Sequence, residues 1–189
     1  MSEGAQAPAA LLVIDMINRL DFEDAARMAP GAVAAARRIG ALRGRFHARG
    51  WPVIFANDNF ARWRADFREL VAMTARLDGP PAEIVRLLAP DARDYFVLKP
   101  KHSAFLATPL PVLLAKLGVR RLLLTGMALE SCVLATASDA NAREFEVAVV
   151  GDAVAGLPSL RKAALRTLRG PGAVRVLASR AALAWAGRR

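Results

Sequence analysis

The one cysteine of the chain, Cys132, lies in the segment RLLLTGMALESCVLATASDA at residues 121–140. The apolar run 122–124 predicts a short strand, and residues 131–141 predict a helix after a tight loop. Cys132 is therefore expected at or just inside a helix N-terminus, where backbone N–H groups and the helix dipole stabilise a thiolate. The same N–H groups could hold the oxyanion that forms when a thiolate attacks a carbonyl. Because free cysteines often only fill space in a core, position alone leaves both roles open.

Two further ionisable side chains come directly after apolar runs. Asp15 ends the run LLVID, and Lys99 follows the run DYFVL at 94–98. Asp15 could take the thiol proton and later activate water, while Lys99 could hold the carboxylate and lower the thiol pKa. The alternatives are a turn or capping role for Asp15 and a solvated strand end for Lys99, and spacing alone does not separate them.

The elements that would position these residues alternate between strands and helices. The strands are continuous apolar runs, as expected where both sheet faces are covered, so we predict a doubly wound α/β fold with a six-stranded parallel sheet in three αβα layers. In strand order 3-2-1-4-5-6, the ends of strands one and four flank the crevice at the switch point, and Asp15, Lys99 and Cys132 share one sheet edge. Strands are predicted at 11–15, 52–56, 94–98, 122–124, 145–150 and 174–177, and helices at 32–49, 80–88, 109–118, 131–141, 159–168 and 179–186, with 16–30 irregular and 57–79 a loop with a short helix.

Composition fits one domain over residues 1–189, with 54% apolar and 23% charged residues. The net charge of +10 comes from scattered cations without a patch or a binding module, so we predict no nucleic-acid partner, although the charge could steer anionic substrates. The lone cysteine, the absence of a secretory pattern and the short apolar runs predict a cytoplasmic protein that does not bind a membrane.

Four segments together resemble the isochorismatase-like cysteine hydrolases, the superfamily of nicotinamidases and N-carbamoylsarcosine amidases. They are LLVIDMIN at 11–18, KPKHSAF at 99–105 with TPL at 108–110, TGMALESCVLATASDA at 125–140, and VAVVGDAVAG at 147–156. The resemblance covers essentially the whole chain. It implies a small-molecule substrate and assembly into a homodimer or homotetramer.

The resemblance also implies site residues. The family triad maps onto Asp15, Lys99 and Cys132, because Lys99 stands four residues before the serine of SAF; Lys101, two before it, fits less well. The same resemblance implies a cis peptide bond between Met127 and Ala128. It further implies an oxyanion hole formed by the N–H groups of Ala128 and Cys132.

Departures from the family concern the metal and the pocket wall. Nicotinamidases of this family bind a metal through an Asp-x-His motif, where this chain has Asp58-Asn59-Phe60. Of the two histidines, His47 is expected on the surface of a helix, and His102 near the site could touch substrate. One histidine is a poor metal site, so we predict neither a metal nor another cofactor. Leu129 stands where many members have threonine.

The predicted reaction is therefore metal-independent hydrolysis of a C–N bond in a small amide or carbamoyl compound, through a thioester on Cys132. Two alternatives remain: vinyl-ether hydrolysis of the isochorismatase type, which works without this cysteine, and a non-catalytic binding protein of the same fold. An Arg-rich loop after strand two could contact substrate or a neighbouring subunit. For its aromatic and arginine side chains, packing or exposure on the surface is the alternative to substrate binding. The candidate substrate contacts are Asn57, Phe60, Arg62, Trp63, Arg64, His102, Phe105 and Leu129.

Overall fold

A computed structural model describes residues 8–170 and 174–188. Its six strands are all parallel and form one sheet in the order β3-β2-β1-β4-β5-β6, which confirms the predicted doubly wound fold. The strands are β1 (Ala9–Ile14), β2 (Val53–Asp58), β3 (Tyr95–Lys99), β4 (Arg121–Gly126), β5 (Glu146–Val154) and β6 (Val174–Leu177).

Helices cover both faces of the sheet. They are α1 (Ala25–His47), α2 (Phe67–Ala75), α3 (Pro80–Leu88), α4 (Leu110–Lys116), α5 (Leu134–Ala142), α6 (Pro158–Leu168) and α7 (Ser179–Ala186). A π-helical turn, Leu129–Val133, leads directly into α5, and we call it the π turn. Within the described ranges, no helix combines the length and apolarity needed to cross a bilayer.

The central strand β1 shows why the sequence forms this sheet. All six of its residues are fully buried, with Leu11 and Val13 packed in one core and Leu12 and Ile14 in the other. The first core holds residues of α1, α2, α3 and α7, and the second holds residues of α4, α5 and α6. Because successive side chains of a strand point to opposite faces, an unbroken apolar run is what a strand between two helical layers requires.

Two element boundaries differ from the prediction by four residues or more. Helix α1 begins at Ala25 rather than at residue 32 and contains Pro30, because Ala25, Met28 and Ala29 are buried and their packing offsets the lost hydrogen bond. Strand β5 continues to Val154, beyond the predicted end at residue 150. The extension pairs Val154 with Gly126 after a shift in register.

The prediction of an exposed His47 is wrong. Its imidazole is 7% exposed and lies 2.9 Å from a carboxylate oxygen of Asp94. The guanidinium of Arg43, also buried, contacts Asp94 and Asp91 at 2.7 Å each. This ion cluster joins the end of α1 to the segment before β3. It therefore lies near the N-terminal end of β3, whereas Asp15 and Lys99 lie at the C-terminal ends of their strands.

Gly126, the last residue of β4, allows the two central strands to end close together. Its φ is 108°, and a Cβ atom there would lie 2.1 Å from the carbonyl oxygen of Ile14. The following residue, Met127, donates its N–H to that same oxygen at 2.9 Å. A side chain at position 126 would therefore separate the ends of β1 and β4, which carry Asp15 and lead to Cys132.

We expect Gly126→Ala to lower the free energy of unfolding by at least about 3 kcal/mol, because left-handed backbone strain and the clash with Ile14 act together. Urea denaturation would measure the change. Gly44→Ala is the matched control, since a Cβ at this exposed helical position meets nothing within 4 Å. That control should be neutral or stabilising by up to about 1 kcal/mol, and equal stability of the two variants would contradict the role given to Gly126.

Candidate active site

Asp15 lies at the centre of the site, immediately after β1. Its backbone has φ 50°, a conformation that aspartate tolerates better than most residues. The backbone N–H of Asp15 donates to the carbonyl of Ala56 at 2.9 Å, and the backbone N–H of Asp58 donates to its Oδ1 at 2.8 Å. Strand β2 thus fixes one carboxylate oxygen. The other oxygen remains to face Lys99.

Lys99 supplies the cation at the end of β3, in register with Asp58. Its Nζ lies 2.8 Å from Oδ2 of Asp15, and the side chain is 1% exposed. Burial alone would lower the pKa of Lys99, but the charge and hydrogen bond of Asp15 raise it above its ordinary value. The ammonium group is therefore charged and held against the carboxylate.

Cys132 lies in the π turn, half-buried, with its Sγ 3.6 Å from Lys99 Nζ. Burial, followed by the negative charge of Asp15, raises the pKa of Cys132 to about 11, although Lys99 acts in the opposite direction. The net pKa is therefore raised, and the contribution of Lys99 has the downward direction that the sequence predicted. Sequence reasoning weighed the lysine and the helix dipole but not the burial and the carboxylate.

The Asp15 carboxyl is the natural acceptor for the thiol proton. Burial raises the pKa of Asp15, and the opposing effects of Lys99 and Cys132 offset this rise only in part. A carboxylate with a raised pKa is a stronger base than an exposed one. The arrangement can move a proton from sulfur to Asp15 while Lys99 stays close to both.

The backbone around Cys132 is held by several contacts. The peptide bond between Met127 and Ala128 is cis. The carbonyl of Ala128 accepts hydrogen bonds from the N–H groups of Ser131 and Val133, each at 3.1 Å. The N–H of Cys132 belongs to the turn that these two bonds close.

Glu130 ties the π turn to the loop after β5, a role that sequence reasoning did not assign. Its Oε1 accepts the N–H of Leu157 at 3.0 Å, and Leu129 donates its N–H to the carbonyl of Ala155 at 2.8 Å. A Cβ on Gly156 would lie 2.0 Å from Oε2 of Glu130. Two features of the sequence could have indicated this contact: Glu130 is a carboxylate within an apolar segment, and Gly156 ends the motif VAVVGDAVAG.

Three of the candidate substrate contacts lie in the interior. Asn57, Phe105 and Leu129 are 1%, 3% and 0% exposed. The Asn57 amide exchanges hydrogen bonds with the backbone N–H and carbonyl of Ile17 at 3.0 and 2.9 Å, so it shapes the loop after β1. Phe105 and Leu129 pack in the second core. These positions indicate packing and loop-holding roles.

The other five candidates divide into two groups. Phe60, Arg62 and Arg64 line a surface cavity beside α2, and Trp63 is 60% exposed. His102 lies at the site itself, because its Nδ1 is 3.1 Å from the hydroxyl of Ser131, the residue before Cys132. Ser131 was not among the predicted site residues.

The loop after β2 does not suit a metal of the Asp-x-His type. The Asn59 amide is used within the loop, where it donates to the carbonyl of Ala65 at 2.8 Å and accepts from the N–H of Ala61 at 3.1 Å. In the part of the chain that the structure describes, no three His, Cys, Asp or Glu side chains are grouped as metal ligands.

Comparison with known proteins identifies the family. The model of the isochorismatase domain matches residues 9–180. The uncharacterized isochorismatase family protein YaaI of Bacillus subtilis is 36% identical over 151 residues, covering 80% of this chain and 82% of YaaI. Maleamate amidohydrolase of Pseudomonas putida is 32% identical over 151 residues, covering 77% of this chain and 71% of that enzyme.

A solved structure agrees with the sequence comparisons. The N-carbamoylsarcosine amidase of Thermoplasma acidophilum superposes with a TM-score of 0.67 and 26% identity, covering 90% of this chain and 96% of that one. The fold and the strand-end site therefore define a hydrolase. The chain belongs to the isochorismatase family.

Because the negative charge of Asp15 raises the pKa of Cys132, Asp15→Asn should speed alkylation of the thiol by iodoacetamide at neutral pH. The gain should be about threefold for each unit by which the pKa falls, since a tenfold rise in thiolate is partly offset by lower nucleophilicity. In the unmodified chain the alkylation rate should keep rising with pH towards about 11. Lys99→Met should slow alkylation, and slower reaction of Asp15→Asn would contradict this account.

Proposed function

We propose that this protein hydrolyses a C–N bond of a small amide or carbamoyl compound through a thioester on Cys132, without a metal. The observation that carries the proposal is the contact of a buried Lys99 with both Asp15, at 2.8 Å, and Cys132, at 3.6 Å. These are the three groups that covalent acyl transfer needs: a nucleophile, its base, and a cation that stays beside both.

In the first half-reaction, Asp15 takes the thiol proton as sulfur attacks the carbonyl carbon. A C–S bond forms, and the electron pair of the C=O bond moves to oxygen. We assign the oxyanion to the N–H groups of Ala128 and Cys132, at the start of the π turn. When the intermediate collapses, the C=O bond re-forms, the C–N bond breaks, and the amine leaves with the proton from Asp15.

In the second half-reaction, the Asp15 carboxylate takes a proton from water as that water attacks the thioester. The C–S bond breaks, the carboxylic or carbamic acid leaves, and sulfur recovers its proton from Asp15. Water and amide are thus converted to acid and amine, and every residue returns to its first state. One base serves both halves, which fits the contact of Lys99 with Asp15.

The substrate class follows from the relatives. Maleamate amidohydrolase and N-carbamoylsarcosine amidase are named for small amide and carbamoyl compounds. A net charge of +10 favours an anionic substrate through long-range attraction. Vinyl-ether hydrolysis needs no thiol nucleophile, so it would leave the contact between Lys99 and Cys132 without a use.

Release of amine from a panel of small carboxylated amides, with maleamate and N-carbamoylsarcosine among them, tests the proposal. Cys132→Ala should lower kcat/KM at least about 1,000-fold, because the covalent route is lost. Ser138→Ala is the matched control: its hydroxyl bonds to the carbonyl of Leu134 on the exposed side of α5. Mass spectrometry of the trapped intermediate should find the acyl group on Cys132. Undiminished turnover by Cys132→Ala would refute the mechanism, and pyruvate release from isochorismate would favour the vinyl-ether reaction instead.

A further inference from the structure

The hydroxyl of Ser131 lies between an imidazole and the reacting sulfur. Its Oγ is 3.1 Å from Nδ1 of His102 and 3.9 Å from Sγ of Cys132, within hydrogen-bonding range for sulfur. Ser131 is half-buried, and His102 is exposed. The mechanism described above uses neither side chain.

The sulfur needs donors at two moments. It becomes negative when Asp15 removes its proton, and again when it leaves the thioester. Lys99 is one donor, but its ammonium group is also held by Asp15 Oδ2 at 2.8 Å. The charged groups that act on the sulfur are Asp15, which raises the thiol pKa, and Lys99, which lowers it. A neutral donor from another direction would stabilise the thiolate without competing for the carboxylate.

The number of protons on these groups couples the directions of the two hydrogen bonds. A serine hydroxyl has one proton to donate and can accept at its lone pairs. If Ser131 donates to sulfur, it must accept from His102, and Nδ1 of the imidazole must then carry hydrogen. The resulting chain runs from His102 through Ser131 to Cys132. His102 has φ 30°, an uncommon backbone conformation of the kind that clusters at functional sites.

We propose that Ser131 is a second hydrogen-bond donor to the sulfur of Cys132 and that His102 positions its hydroxyl. Ser131 touches the reacting atom, whereas His102 acts only through Ser131. The hydrogen bond from Ser131 lowers the pKa of Cys132 against the larger effects of burial and Asp15. The consequence for turnover rests on the proposed function, but the consequence for the thiol requires no substrate.

The lone cysteine simplifies the first experiment, because Cys132 is the one thiol that iodoacetamide can alkylate. At one fixed pH below the thiol pKa, Ser131→Ala should react with iodoacetamide about threefold more slowly for each unit of raised pKa. Ser131→Thr, which keeps a hydroxyl, should recover the rate. Ser138→Ala should match the unmodified protein, since its hydroxyl lies on α5 away from the sulfur.

A double-mutant cycle separates positioning from direct substrate contact. His102→Ala should slow alkylation in the unmodified chain and should have no further effect in Ser131→Ala. With an amide that is turned over, both variants should lower kcat and leave KM unchanged. Equal losses from His102→Ala in the two backgrounds, or a rise in KM alone, would overturn the positioning role.

Unchanged alkylation in Ser131→Ala would overturn the donor role altogether. Two results could also occur together: Ser131→Ala and His102→Ala slow alkylation as expected, and Cys132→Ala still turns substrate over. That result would support Ser131 and His102 as thiolate donors and would refute the covalent mechanism, so the two proposals fail separately.

Discussion

The buried ion pair between Asp15 and Lys99 is the interaction on which the site depends. Two charges taken out of water are stabilised only if their geometry is close and their remaining hydrogen bonds are satisfied. Here Asp15 Oδ2 meets the ammonium group and Oδ1 meets the N–H of Asp58. The register between β1, β2 and β3 supplies both contacts, so these three strands must be paired before the ion pair is stable.

This pair also explains how a thiol with a high pKa can react. Loss of the Cys132 proton to bulk water would add a net negative charge to a buried site, which burial and Asp15 oppose. Transfer of that proton to Asp15 leaves the total charge of the three side chains unchanged. In the proposed reaction, the carboxylate that disfavours a resting thiolate is therefore also the group that would accept the thiol proton.

The sequence was sufficient to predict the fold and the proximity of Asp15, Lys99 and Cys132, because the positions of the strand ends follow from short-range patterns. The catalytic roles of the three residues were inferred from the family resemblance and stay a prediction. Unbroken apolar runs such as 11–14 identify buried strands, and the residue after each run lies at the strand end that faces the switch point. The triad residues Asp15, Lys99 and Cys132 all occupy such positions, or the turn that follows one.

Contacts between distant segments could not be predicted in this way. His47 is buried because it meets Asp94 across 47 positions of sequence, and no local pattern encodes that pairing. Asn57 lies near the end of β2 and Leu129 lies three residues before Cys132, yet tertiary packing buries both side chains. The net rise in the pKa of Cys132 could not be predicted for the same reason, since burial and the charge of Asp15 depend on three strands and a turn together.

Asp15 and Lys99 lie at the ends of two strands that differ in their protection from solvent. Asp15 follows β1, which is buried throughout, whereas Lys99 ends the edge strand β3, where Tyr95 and Phe96 are 40% and 45% exposed. Proteins open in cooperative units, and peripheral elements open at lower free energy than the centre of a sheet. We expect amide hydrogens of β3 to exchange before those of β1, so an opening that releases Lys99 disables the site while the central strands stay folded. Loss of activity on heating would then report the edge of the sheet rather than its core.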